Sequence, residues 1–571
     1  MRITYNDKLN KLLNPYLESL LKEKSSLEPE TLTLFDLFME DLDMGGRYGI
    51  FSEILEPRLE EIIREENIES IANLMDGRLN TLFRYMLGDE FAGLFHTYLQ
   101  LEARCPHTIG YDRRAQRSAH PSNHLDHARD AWLQFLKLRA TGFSVEAILK
   151  GGNTPEDTEE FSGYMNSSYW LAAQIAQGNE KVIEYLNQVL TSENNVHRLQ
   201  RWYLHAIAIS GHRPLLELEG KLLLAAKLQE GLRQAIVETM DEGCPESYLY
   251  LFSIIYNNGL QRFASVKRSI AVCTGIGEQD SSERITNKYV ELIWNFLNHP
   301  ETARKTLQSK DTVELYLALW SIGFYDTDEI RAIVPDIIRK GAKHQIQTLL
   351  YFLRCTQSSQ MNHLISKDAF EVWHDDPKVV AAILPLYMDG LYLSRYSDNK
   401  EAPTLSDYFE TPEEAVRHYG YLKQVYQSIS AKEVYSPYVF PWDCVVLTRS
   451  DVVLKMAYIA WMTNDIRLRE ELCTYLPALE SYNRASYIGI VLARTESKVE
   501  QEYVLQSLGD RSADIRDEAY KVLSEMSLSP EQYQHIEELL RFKYSEMRIN
   551  AINLLMKQPE AQLAASCARS E

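Results

Sequence analysis

Near its C-terminus the chain repeats itself every 32 residues, and a fixed period of this size constrains the fold more tightly than any composition does. Three segments superpose: Leu472 with Val504 and Ile536, Leu476 with Leu508 and Leu540, Arg484 with Arg516 and Arg548, and Val491 with Leu523 and Leu555. Ala519 and Ala551 also match, with Tyr487 in that place in the first copy. Each copy reads as a pair of helices. In "LGDRSADIRDEAYKVL", residues 508–523, the first helix is expected to stop at Gly509, a residue that tolerates the left-handed conformation common at helix ends. Ser512 or Asp514 then caps the next helix. Ile515, Ala519, Val522 and Leu523 form one apolar stripe along it, and the small Ala519 admits a neighbouring helix.

A second series, of period 33, runs through the middle: Val313, Leu317 and Trp320, then Ile346, Leu350 and Leu353, then Val379, Ile383 and Leu386. Helices joined by short turns are predicted from about 150 to 395 and again from about 450 to 560, with no sustained strand alternation. The expected fold class is therefore all-α, an α-α superhelix of stacked helical hairpins. Residues 1–150 read as an N-terminal helical cap, 151–395 as a first solenoid block, and 448–571 as the C-terminal repeats. Between the blocks, 396–447 is an insertion or joint, where Pro403, Pro412, Pro437 and Pro441 surround one helical stretch, "TPEEAVRHYGYLKQVYQSI".

Composition narrows the function. With 571 residues, 45% hydrophobic, the chain can bury a large core, and a net charge of -21 repels nucleic acid unless basic residues gather on one face. Seven cysteines, none closer than 29 residues to the next, suit reduced thiols in a cytoplasm. The N-terminus lacks the apolar core of a signal peptide, and the longest apolar runs, such as "VVAAILPLYM" at 379–388, are too short for a membrane helix.

The block "LGDRSADIRDEAYKVL" resembles a HEAT repeat, a HEAT/armadillo-like solenoid unit. The resemblance implies that Arg484, Arg516 and Arg548 brace the neighbouring repeat through its turn acid, a structural rather than catalytic role. A second stretch, Leu222 to Ile270, is similar to the N-terminal helical region of large bacterial proteins named after a molybdate metabolism regulator, whose C-terminal half is a domain of unknown function. That resemblance implies a fragment, or a short version, of a larger bacterial protein.

One stretch carries residues that could do chemistry: "CPHTIGYDRRAQRSAHPSNHLDHARD", 105–130. His120, His124 and His127 have the spacing of one helical face, and Cys105 or His107 could complete a zinc site. Against it, Pro121 separates His120 from any helix starting near Ser122 or Asn123, and Arg104, Arg113, Arg114, Arg117 and Arg129 repel a dication. A solvated or partly packed histidine face is the preferred reading. Arg104, Arg113, Arg114 and Arg117 also make a local positive patch for an anion or an acidic partner, with salt bridges to Asp112, Asp126 and Asp130 preferred. The glycine-rich stretches at 43–51 and 273–280 lack phosphate-loop patterns, and the aromatic stretch "YVFPWDC" at 438–444 reads as packing under a long loop. The chain is thus expected to be a non-enzymatic scaffold that binds a protein or a further domain of its own chain, with no cofactor. The alternatives are a HEAT-like nucleic-acid-engaging protein or enzyme, and a metal-dependent activity at the histidine cluster.

Overall fold

The computed structural model describes residues 7–43, 77–105, 167–191, 199–226, 229–241, 243–276, 285–325, 327–354, 359–396, 400–441, 443–495, 497–541 and 544–570, together with positions 58, 61–62, 65, 132, 135–140, 142 and 145. By chain contact it divides into two compact units, residues 1–332 with 355–357, and 333–354 with 358–571. The expected joint at 396–447 falls inside the second unit.

In the first unit an aromatic cluster closes the N-terminal end: Phe38 stacks on Trp132 at 4.4 Å, and Phe83 meets both Trp132 and Phe95 edge to face. Beyond it the helices alternate between two rows. Asp89–Arg104, Ser167–Ala176, Arg201–Ser210, Glu230–Asp241 and Ala264–Cys273 each pack against the next of that series. Glu180–Thr191, Arg213–Ala225, Pro245–Asn257, Asn287–Asn298 and Thr312–Tyr325 do the same in the second row. Short turns enforce this alternation. Gly243 sits in one of them because a Cβ there would lie 2.8 Å from the Ala208 carbonyl oxygen, which accepts the Cys244 N–H at 3.0 Å.

The second unit repeats the pattern in its C-terminal half. Ser481–Ile490 packs on Ala513–Glu525, which packs on Ser545–Leu555; Ile466–Leu472, Lys498–Ser507, Pro530–Glu538 and Glu560–Ser570 form the companion row. The 32-residue register falls on the core: Leu472, Val504 and Ile536 are buried, as are Tyr487, Ala519 and Ala551, and Leu523 with Leu555. In the first copy the buried residue beside Val491 is Leu492, because the helix has already ended at Ile490. All nine residues of the 33-residue series are buried too.

Gly509 does not take the left-handed conformation expected of it. The helix Lys498–Ser507 runs on into a right-handed Leu508, and the turn is closed by Asp510, whose Oδ1 accepts the Ser512 N–H at 2.8 Å. Ser512 occupies the capping position without a side-chain cap bond.

The described residues are mostly helical, with one exception that the strand-free reading missed. Lys432–Tyr435 and Val445–Thr448 form an antiparallel pair, with Lys432 opposite Thr448 and Tyr435 opposite Val445. Each strand has only four residues, too few for alternation to stand out from the flanking loop. Between them, Val439 and Phe440 are buried, and Phe440 meets Tyr351 edge to face at 5.4 Å. No described helix is long and apolar enough to cross a membrane.

Ala519 is fully buried where two helices of successive copies approach. Ala519→Leu should lower stability by about 1–3 kcal/mol through overpacking, while Ala513→Leu, at an exposed helix start, should stay within about 0.5 kcal/mol. Urea unfolding followed by circular dichroism checks both.

Candidate functional site

The helix Pro412–Ser428 begins where the sequence asks for it: Thr411 accepts the Glu414 N–H at 3.2 Å, and Pro412 fills the first helical position. Its buried face carries Ala415, His418, Tyr419, Leu422 and Val425. Glu414 and His418, one helical turn apart, therefore point the same way. The helix Ser359–Trp373 brings Lys367 and Glu371 to that face, and the turn after Pro377–Ile383 brings Tyr387. Glu371, Glu414 and His418 form the one group of potential metal-ligating side chains among the described residues, with ligand atoms within 4.8 Å of one another.

The hydrogen bonds fix the protons. An ionised Glu371 can only accept, so the His418 Nε2–H donates to its Oε1 at 3.1 Å. Nδ1 is then the acceptor for the Tyr387 hydroxyl at 2.8 Å. Burial pushes the His418 pKa down to about 4, against the pull of the Glu371 carboxylate, and pushes Tyr387 well above its usual value. For Glu371, burial acts upward but is overcome by the Arg417 guanidinium, whose Nε and Nη2 donate at 3.0 and 2.5 Å, so its carboxyl stays below the ordinary range. The Tyr421 hydroxyl donates to the other oxygen of Glu371 at 3.1 Å and its ring stacks on His374 at 3.7 Å. Glu414 is likewise held below its usual pKa, burial being outweighed by the Glu410 N–H at 2.7 Å and Lys367 Nζ at 3.0 Å.

This arrangement is a closed polar network. Two carboxylates face two permanent cations and a neutral imidazole, so the group is balanced without an added ion. A dication bound by Glu371, Glu414 and His418 would have to displace Arg417 and Lys367 and take over their hydrogen bonds, at a cost in desolvated charge. A second histidine is held neutral nearby: His363 Nε2 donates to the Tyr408 carbonyl at 2.8 Å while Nδ1 accepts the Met388 N–H at 3.0 Å, and burial lowers its pKa. Local pattern reading overlooked this cluster, because Tyr387 and Glu371 lie 31 and 47 positions from His418. Only the Glu414–His418 spacing was visible in advance.

Of the residues singled out from sequence, His107, His120, His124, His127, Arg113, Arg114 and Arg117 lie outside the described residues. Cys105 is buried at the end of Asp89–Arg104 beside the Tyr169 hydroxyl, and burial pushes its thiol pKa up, away from the thiolate that binds a metal. Arg104 pairs with Glu246 at 3.1 Å, half exposed. Arg484 reaches Asp510 in the turn of the next copy at 3.0 Å, and Arg516 reaches Glu546 at 2.9 Å. Arg548 is exposed. Equivalent helices of the companion row are tied as well, Arg469 to Glu500 and Arg569 to Glu537.

His418 gives the cluster a pH signature. The unfolded chain takes up the His418 proton near pH 6.5, but the folded chain refuses it until about pH 4. Stability should therefore fall as pH drops through that window, by on the order of 3 kcal/mol, and this contribution should be constant above it. Urea midpoints measured from pH 4.5 to 7.5 should show that part of the slope missing from His418→Gln; equal slopes in both proteins would contradict the assignment.

A family model described as a family of unknown function, DUF5724, matches residues 34–569. No curated protein and no solved structure matches the chain.

Proposed function

The chain belongs to the DUF5724 family, a family of unknown function, and we propose that it works as a non-enzymatic helical-repeat scaffold. In this reading the helical hairpins of each unit stack as a HEAT-like α-α solenoid, and their exposed faces bind a protein partner or a further domain of a longer, bacterial chain in the cytoplasm. One observation carries it: helices at equivalent register positions pack against each other in two rows, and in the first two C-terminal copies the equivalent arginines, Arg484 and Arg516, each reach an acid of the next. The cluster around His418 supports the same reading, since its donors and acceptors are spent on one another rather than aimed at a substrate.

Affinity in such a surface comes from a few aromatic and arginine anchors. The second unit offers Tyr392 and Tyr396, both largely exposed, with the Tyr482 hydroxyl bonded to Tyr392 at 3.0 Å and to Ser394 at 2.9 Å. Arg395 lies beneath the Tyr396 ring and pairs with Asp514, so the patch is held in one conformation before any partner arrives.

Cross-linking of the full chain in a native extract, read by mass spectrometry, tests the proposal. The expected outcome is one dominant protein partner, cross-linked near Tyr392, Tyr396 and Tyr482 and weakened about ten-fold or more by Tyr392→Ala with Tyr396→Ala. Retention of duplex or single-stranded nucleic acid at low salt, falling steeply as salt rises, would overturn it in favour of a nucleic-acid role.

A further inference from the structure

The repeat register also exposes a face with a specific vacancy in its pairing. In the first copy, Arg484 and Ile488 lie one turn apart on the helix that packs on the second copy, and Leu492 follows in the 3-10 turn after it: Ile488 and Leu492 are both 0% exposed, and Arg484 bonds Asp510. The same positions in the second copy are Arg516, Tyr520 and Ser524, all half-buried, with Arg516 on Glu546 of the helix Ser545–Leu555. Carried on by 32, the stripe in the third copy is Arg548, Ile552 and Met556. Here Ile552 is 49% exposed and Met556 64%, with Ile549 beside them at 55%, and no carboxylate among the described residues pairs with Arg548.

We propose that this face of the helix Ser545–Leu555 is a docking site for an amphipathic helix of a partner protein that carries a carboxylate in its entering turn. The proposal rests on the scaffold reading and names one of its surfaces. Both parts of the partner's chemistry are set by the two preceding copies. An apolar helix face covers the stripe, and an Asp or Glu just before or within the first turn of that helix takes the arginine. Three apolar side chains at helical spacing are more than the scattered exposed hydrophobic residue of an ordinary surface. A second copy of the chain is the weaker occupant. Two-fold pairing would set two copies of this patch against each other, neither carrying a carboxylate for the arginine, and each copy brings a net charge of -21.

A peptide of residues 508–526 is a suitable probe, because in the fold it supplies Asp510 and the helix that covers the Arg484 stripe. Fluorescence anisotropy of the labelled peptide against the full chain should show saturable one-to-one binding. Ile552→Glu with Met556→Glu should weaken it about ten-fold or more. Arg548→Glu should weaken it as well, and a peptide carrying Asp510→Arg should recover binding to that variant. All these positions are exposed, so circular dichroism should be unchanged. Absence of saturation by on the order of 1 mM peptide, or binding indifferent to the Ile552 and Met556 changes, would overturn the proposal. So would sedimentation showing a dimer that the same double substitution dissolves, which would assign the face to a second copy. A cross-linked partner near Tyr392 that survives these substitutions would leave the scaffold reading standing while this one falls.

Discussion

A helix of three turns cannot bury its own apolar stripe, and everything else in this protein follows from how that stripe is covered. Within each row, successive helices cover one another's apolar faces, and helices of the two rows cover the rest. Magnitudes separate the roles of the contacts. Burying a leucine or isoleucine such as Ile488 or Leu523 contributes about 1.5–3 kcal/mol, whereas an exposed ion pair contributes about 0–1 kcal/mol. Packing of many such side chains supplies most of the stability, and the ties at Arg484 and Arg516, whose side chains are largely buried, fix which helix meets which turn.

The polar cluster around His418 answers to the same constraint. Tyr387, His418 and Glu371 sit where helices of the second unit converge, and a buried polar group without a partner would cost more than the network contributes. Balanced charge and directed hydrogen bonds make the cluster permissive of burial and selective of geometry, because a shifted helix would strand the imidazole. That is why a set of residues with the donor types of a metal site behaves as part of the packing.

Much of the architecture was readable in advance because its signal is periodic. Leu472, Val504 and Ile536 announce one buried position from sequence alone, and Ala519 announces a close approach. Signals that are short or non-local were not readable. The strands at Lys432–Tyr435 and Val445–Thr448 are each four residues long, and the turn at Gly509 is closed by Asp510 rather than by a left-handed glycine. The most conspicuous histidines in the sequence, from His107 to His127, lie outside the described residues, whereas His363 and His418, whose hydrogen bonds the fold organises, belong to no histidine cluster along the chain.

By itself, the sequence determined that this chain forms helices, that those near the C-terminus recur with a period of 32, and which of their faces are apolar, because helical periodicity is a property of neighbours along the chain. Only the tertiary structure decided that Glu371 meets His418, and that Ile552 and Met556 stay uncovered where Ile488 and Leu492 do not. Those outcomes depend on which surfaces approach in space, and proximity between residues tens of positions apart leaves no trace in the spacing of one sequence.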